Sequence, residues 1–134
     1  MRIGVCTNFL KKETYALHLE DFEELTSVFD FVELPAMTIS QIPEEIFEKL
    51  KDELQINKLN CDYVTNIFPK DLSVIGHDSD TKKIENYLDG LIPRLEKIGC
   101  KGIVFGSGYA RRLPDGASSF QKLSLCNQFF QAWV

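Results

Sequence analysis

The stretch GIVFGSGYARRLPDG, residues 102–116, opens as a short apolar run and breaks off in Gly-Ser-Gly before Tyr-Ala-Arg-Arg. A β-branched and aromatic run of this length, bounded by glycine, has the pattern of a buried strand. Glycine at its exit lets the backbone turn tightly or come close to a ligand. Upstream, RIGVC from Arg2, DFVEL from Asp30 and DYVTNIF from Asp62 repeat the pattern.

Each of these runs is followed by residues at helical spacing. Tyr15, Leu19, Phe22, Leu25 and Val28 recur at threes and fours, with Glu20, Asp21, Glu23 and Glu24 on the other face. After Pro43, read as a first helical residue, Ile46, Phe47, Leu50 and Leu54 make a second stripe. A third, Ile84, Tyr87, Leu88, Leu91, Ile92, Leu95 and Ile98, has capping candidates Ser79 and Asp80 before it and Gly99 after it, with Pro93 inside. Phe120, Leu123, Cys126, Phe130 and Trp133 form a fourth. The order is β-α four times over, the repeating crossover unit of a parallel sheet.

Two architectures accept this order within one domain spanning residues 1–134: the first half of a (β/α)8 barrel, and a flavodoxin-like doubly wound sheet. The doubly wound sheet usually has five strands, and this chain shows four. The strand exits, CTN (6–8), ELP (33–35), TNIFP (65–69) and GSGYAR (106–111), favour the half barrel, as does the long connection 66–80. Four units of a closed barrel leave two strand edges unpaired and one sheet face bare, so self-association is expected. Phe129, Phe130, Trp133 and Val134, clustered at the end, point the same way. The other ways of closing such a chain are a flattened sandwich and a partner half lost by truncation.

Composition narrows the function. The chain is 44% hydrophobic and 26% charged, with 15 basic against 20 acidic residues and a net charge of −5. Without a basic stripe, nucleic acid and anionic membrane are not expected partners. The N-terminus lacks the apolar core of a signal peptide, and no run is long enough to span a membrane. Cys6, Cys61, Cys100 and Cys126 are widely spaced with no CxxC pair, which reads as buried free thiols of a reducing cytoplasm. There is no GxSxG elbow and no GxxxxGK loop, and Arg111 stands where GxGxxG would need its last glycine.

Taken together, FVELP, NIFP followed by IGHDSD, the helix ENYLDGLIPRLEKIGC and IVFGSGYARRLPDG resemble the first half of the xylose-isomerase-like barrel family. That family comprises sugar and sugar-phosphate isomerases and epimerases, related to family-2 AP endonucleases. The resemblance runs the whole chain. It implies a small sugar or sugar phosphate as ligand and a divalent cation, Mn, Mg, Co or Zn, that polarises the substrate while carboxylates move a proton. The family's metal ligands, two glutamates, an aspartate and a histidine, come from the ends of later strands, so none is carried onto this sequence. An endonuclease role is disfavoured by the acidic balance.

The substrate-side candidates lie on the strand exits. Gly106 and Gly108 would let the backbone approach a ligand, the Ser107 hydroxyl would bond sugar or phosphate oxygens, and Arg111 would offer a charged fork. Glu33, ending an apolar strand, would orient hydroxyls or pair with Arg111, and Asn66 takes the same place on the third strand. The bland alternatives are a tight βα turn, a structural ion pair and a turn-capping amide. Asn8, ending the first strand, and His77, beside Asp78 and Asp80, are further candidates; for His77 the competing reading is a helix-capping, solvent-facing cluster. His18 reads as surface, and the Tyr87 stripe as core.

Overall fold

The protein is described here by a computed structural model covering residues 1–8, 10–11, 16–17, 25–76, 78–113 and 115–132, with side chains over 1–8, 25–76, 78–113 and 115–127. Four parallel strands form the main sheet: β1 (Gly4–Cys6), β4 (Phe31–Pro35), β5 (Asn60–Thr65) and β6 (Gly102–Val104), in that spatial order. Two short strands, β2 (Leu10–Lys11) and β3 (Ala16–Leu17), pair antiparallel in the first connection. The helices are α1 (Ala36–Gln41), α2 (Glu44–Ile56), α3 (Thr81–Lys97) and α4 (Ser119–Ala132), with a helical turn at 25–28.

Strand order follows chain order, so each strand lies beside its predecessor in the sheet. A doubly wound sheet reverses direction at a switch point, and this one does not, which excludes the flavodoxin-like alternative. With one hand of crossover and one direction of travel, the helices lie on a single face of the sheet. Val32 and Leu34 of β4 and Val64 of β5 point to that face and are fully buried. They pack in one core with Ile39 of α1, Phe47, Leu50 and Leu54 of α2, and Ile84, Leu91 and Leu95 of α3.

The second and third stripes are helices of this core, as their spacing predicts. Pro43 sits one position earlier than expected, as the N-cap of α2 rather than its first residue, and its missing N–H has a consequence. The chain turns extended at Ile42, so no helical amide follows to meet the Ile39 and Ile42 carbonyls, and Pro43 brings no N–H to the turn. The Arg94 guanidinium takes that place, donating through one nitrogen to the carbonyls of Ile39 and Ile42, each at 2.7 Å, and through the other to Glu44 at 2.7 Å. It lies over the Phe47 ring at 5.0 Å. Asp80 caps α3 by accepting from the Lys83 amide at 3.2 Å, and Gly99 closes the helix at φ +73°.

Two stripes differ from expectation. Ala16–Leu17 form strand β3, so the first stripe is not a helix from Tyr15 onward; Tyr15, Leu19 and Phe22 lie outside the described residues, and Val28 is exposed. Strand pairing with Leu10–Lys11 satisfies these backbone groups where apolar spacing alone read helix. In α4, Phe120 and Leu123 are 81% and 61% exposed, while Leu125 is the residue that packs on the core. The side chains of Phe129, Phe130, Trp133 and Val134 lie outside the described residues. So does His18.

The opposite sheet face is open. Gly4 pairs in register with Phe31, Cys6 with Glu33, Tyr63 with Gly102 and Thr65 with Val104, and paired residues in a parallel sheet share a face. The Phe31 ring covers Gly4 and the Tyr63 ring covers Gly102, positions where a Cβ would strike them. Tyr63 and Val104 nevertheless remain 40% and 46% exposed. At the N-terminal ends of the strands, a bulge in β5 opposite β4 leaves Asp62 buried and bound by Arg2 at 2.6 Å and Lys101 at 2.9 Å.

The four cysteines are free thiols, but Cys6 is exposed on the open face rather than buried. Burial pushes the Cys61 thiol up to about 12. An alkylating reagent at neutral pH is therefore expected to modify Cys6 in the native protein and Cys61 only on unfolding, as read by peptide mass spectrometry. Rapid native labelling of Cys61 would contradict its place under α2 and α3.

Candidate functional site

The C-terminal ends of β4, β5 and β6 converge on a small pocket of about 200 Å³ lined by Met37, Asn66, Phe68, Lys70, Ser107, Gly108 and Tyr109. Its position follows from the parallel sheet, in which ligand groups gather at the carboxyl ends of strands.

Two loops build the walls. Loop 66–80 leaves β5 through Asn66, held at φ +51°, a left-handed conformation that asparagine tolerates better than most residues. Its carbonyl accepts the Met37 amide at 3.3 Å, which anchors the start of α1. Ile67, Phe68, Val74 and Ile75 are buried, so this long connection is pinned to the core at two places. The Tyr87 hydroxyl of α3 donates to the Ile67 carbonyl at 2.6 Å. Tyr87 is thus half core and half loop anchor, which its spacing alone did not separate.

The second wall is the Gly-Ser-Gly exit. Ser107 is 6% exposed, and its hydroxyl oxygen accepts the Phe68 amide at 2.8 Å, joining the two loops. The Val74 amide donates to the Ala110 carbonyl at 2.9 Å and closes the same seam. A Cβ at Gly106 would lie 2.8 Å from Asn66 Oδ1, so a larger residue there would move the Asn66 side chain. Gly108 meets nothing closer than 4.0 Å, and neither glycine takes a positive φ. Gly106 thus gives room to the Asn66 amide, and Gly108 serves as pocket wall.

The structure brings Asn66, Ser107 and Gly108 together at the pocket, with Gly106 behind Asn66. It does not place Arg111 there: the guanidinium lies 5.3 Å from the Phe105 ring, outside the lining. The expected Glu33–Arg111 pair is absent among the described residues. Glu33 lies half-buried on the open sheet face in register with Cys6 and Tyr63. Asn8 is exposed after β1, and His77 lies outside the described residues. Met37, Phe68, Lys70 and Tyr109 were not picked out in the sequence. Tyr109 and Lys70 are the ones sequence position could have flagged, since each stands five residues past the end of its strand, Val104 and Thr65; Lys70 Nζ lies 4.7 Å from the Tyr109 ring.

Among the described residues no three histidine, cysteine, aspartate or glutamate side chains are grouped to hold a metal ion. At the rim, Glu33 has Cys6 and Thr65 as neighbours, a donor set too small for a divalent cation. The cation implied by the family resemblance is therefore not one these residues fit. Also among the described residues, no helix is long and apolar enough to cross a membrane.

Solved structures share this architecture. A 3-keto-D-glucoside 4-epimerase from E. coli superposes with a TM-score of 0.61 at 17% identity, over 98% of this chain and 50% of its own. A D-psicose 3-epimerase solved in the presence of D-fructose gives 0.64 at 10% identity, over 98% and 47%. The chain has the fold of half a (β/α)8 barrel. A xylose isomerase domain protein from Planctomyces limnophilus gives 0.59 at 14% identity, over 98% and 48%. The half barrel thus spans about half the length of the solved chains it matches. No protein-family model and no curated protein sequence matches it. At these identities the likeness concerns the fold alone. The four strands of the half barrel correspond to a consecutive run of barrel strands, and its bare sheet face to a barrel interior.

Proposed function

We propose that this chain is the substrate-holding half of a sugar isomerase or epimerase, its rim pocket binding a small polyhydroxy ligand. The supporting observation is the pocket: the Asn66 amide and Ser107 hydroxyl are groups that bond sugar oxygens, and Phe68 and Tyr109 are rings that cover the C–H side of a sugar. Its volume of about 200 Å³ suits a ligand smaller than the drug-sized molecules that fill most sites. Isomerisation also needs a base at carbon and an acid or metal at the carbonyl. On this reading Glu33, on the open sheet face, is a carboxylate offered for that task, and the other groups and the metal come from outside these residues. Arg111 and Asn8 serve as outer rim residues.

Substituting Gly106→Ala tests the pocket, because the new Cβ must displace the Asn66 amide while touching nothing in the core. Titration calorimetry with D-fructose is expected to show binding to the parent chain and about tenfold weaker binding to the variant, with little change in melting temperature. Equal affinity, or no binding to the parent, contradicts the reading.

A second reading, a non-catalytic half barrel that closes by pairing with a copy of itself, is supported by the open face and by β1 and β6 standing at the two sheet edges. Light scattering is expected to give a mass above that of one chain, rising with concentration. A monomer throughout the micromolar range contradicts it. Nucleic acid and membrane remain outside the proposed partners, and a cytoplasmic setting is proposed from the free thiols.

A further inference from the structure

We propose that the rim pocket is selective for ligands bearing an anionic group, and that Lys70, not Arg111, holds that group; this rests on reading the pocket as the ligand site. The chain carries 20 acidic residues against 15 basic and a net charge of −5, yet the pocket wall contains one cation and no carboxylate. An acidic surface that clears its carboxylates from one cavity leaves a local field favourable to an anion.

The groups around Lys70 agree in sign. The Ser107 oxygen is occupied as an acceptor by the Phe68 amide, so its own O–H is left to donate. Asn66 lines the same wall, and its side-chain amide carries an NH2 that can donate to a ligand. Lys70 is exposed, has no ion pair with a carboxylate among the described residues, and rests by the Tyr109 ring at the pocket mouth. An exposed ammonium over one ring gives up little to swing onto an anion. Arg111, the guanidinium that sequence spacing favoured, is stacked on Phe105 away from the cavity. Three donors, one of them charged, therefore surround a space large enough for a small polyol with a single anionic substituent.

The test compares four probes on the parent chain and on Lys70→Gln: D-fructose, fructose 6-phosphate, gluconate and inorganic phosphate, by titration calorimetry at low and moderate salt. For the parent chain, fructose 6-phosphate or gluconate is expected to bind about threefold to fivefold tighter than fructose, with the advantage shrinking as salt rises. Whichever of the two gains more identifies phosphate or carboxylate as the preferred anion. In Lys70→Gln the advantage is expected to disappear, so that charged and neutral sugars bind with the same affinity as each other. Equal affinity for charged and neutral sugars in the parent chain, or an advantage that survives Lys70→Gln, overturns the proposal and leaves the sugar-site reading standing. Binding of inorganic phosphate without any sugar supports the anion site and removes the sugar reading. Binding of no probe overturns both.

Discussion

Replacing Arg94 with alanine is expected to lower stability by about 2–4 kcal/mol, a large fraction of what a domain of this size possesses. The reason lies at the end of α1, where the chain turns extended at Ile42 and no helical amide follows to meet the Ile39 carbonyl. Arg94 supplies that hydrogen bond and another to Ile42, both residues being buried, so alanine strands two carbonyls away from water. The contact of the guanidinium with the Phe47 ring is lost as well. Urea denaturation of parent and variant measures the loss. Arg94→Lys is expected to recover only part, because one ammonium cannot reach two carbonyls and Glu44 with the geometry of a fork. A loss below about 0.5 kcal/mol, the usual limit for surface substitutions, would contradict the role assigned to Arg94.

The second large effect is expected at the opposite end of the strands. Asp62 is a buried carboxylate held by two cations from neighbouring strand starts, Lys101 and Arg2. The hydrogen bond from Lys101, and then that from Arg2, hold its carboxyl below the usual carboxylate range. Asp62→Asn keeps the shape and removes the charge, and is expected to cost about 1–2 kcal/mol, the modest figure reflecting that both cations are half in solvent. The sign of the pH dependence is fixed by the depressed value. The stabilisation is complete above the unfolded aspartate value of about 3.9 and is lost as pH falls through the lower folded value. Acid unfolding of Asp62→Asn should therefore lack part of the steepening that the parent shows below about pH 4. Parallel acid titrations of the two proteins would contradict the ion-pair account.

Much of this architecture was legible in the sequence because it depends on periodicity. Val32, Leu34 and Val64 sit in apolar runs, and Phe47, Leu50, Leu91 and Leu95 recur at helical spacing, so their burial follows from pattern alone. The β2–β3 pairing was not legible, since two-residue strands leave no period to detect. Nor was α1, whose six residues follow Pro35 straight from a strand. The α4 stripe misled for a different reason: apolar spacing says that a face wants cover, not that cover is present, and Phe120 and Leu123 have none.

The site divides in the same way. Asn66, Ser107 and Gly106 were recoverable because a strand exit in a parallel sheet fixes where they point. Arg111 lies over the Phe105 ring and outside the pocket lining, after a turn at 108–111 that sequence spacing does not encode. Lys70 lines the pocket from a loop tied to the Gly-Ser-Gly exit by the Ser107–Phe68 and Ala110–Val74 bonds, across 39 and 36 residues of sequence.

The most direct test is to map the ligand onto the backbone. In a proton–nitrogen correlation spectrum of the labelled chain, addition of D-fructose is expected to move the amides of residues 66–70 and 106–109, leaving those of Asp62 and Lys101 at the far end of the strands in place. Shifts confined to that rim confirm a working half-barrel site, whereas shifts elsewhere, or none at millimolar sugar, would contradict it.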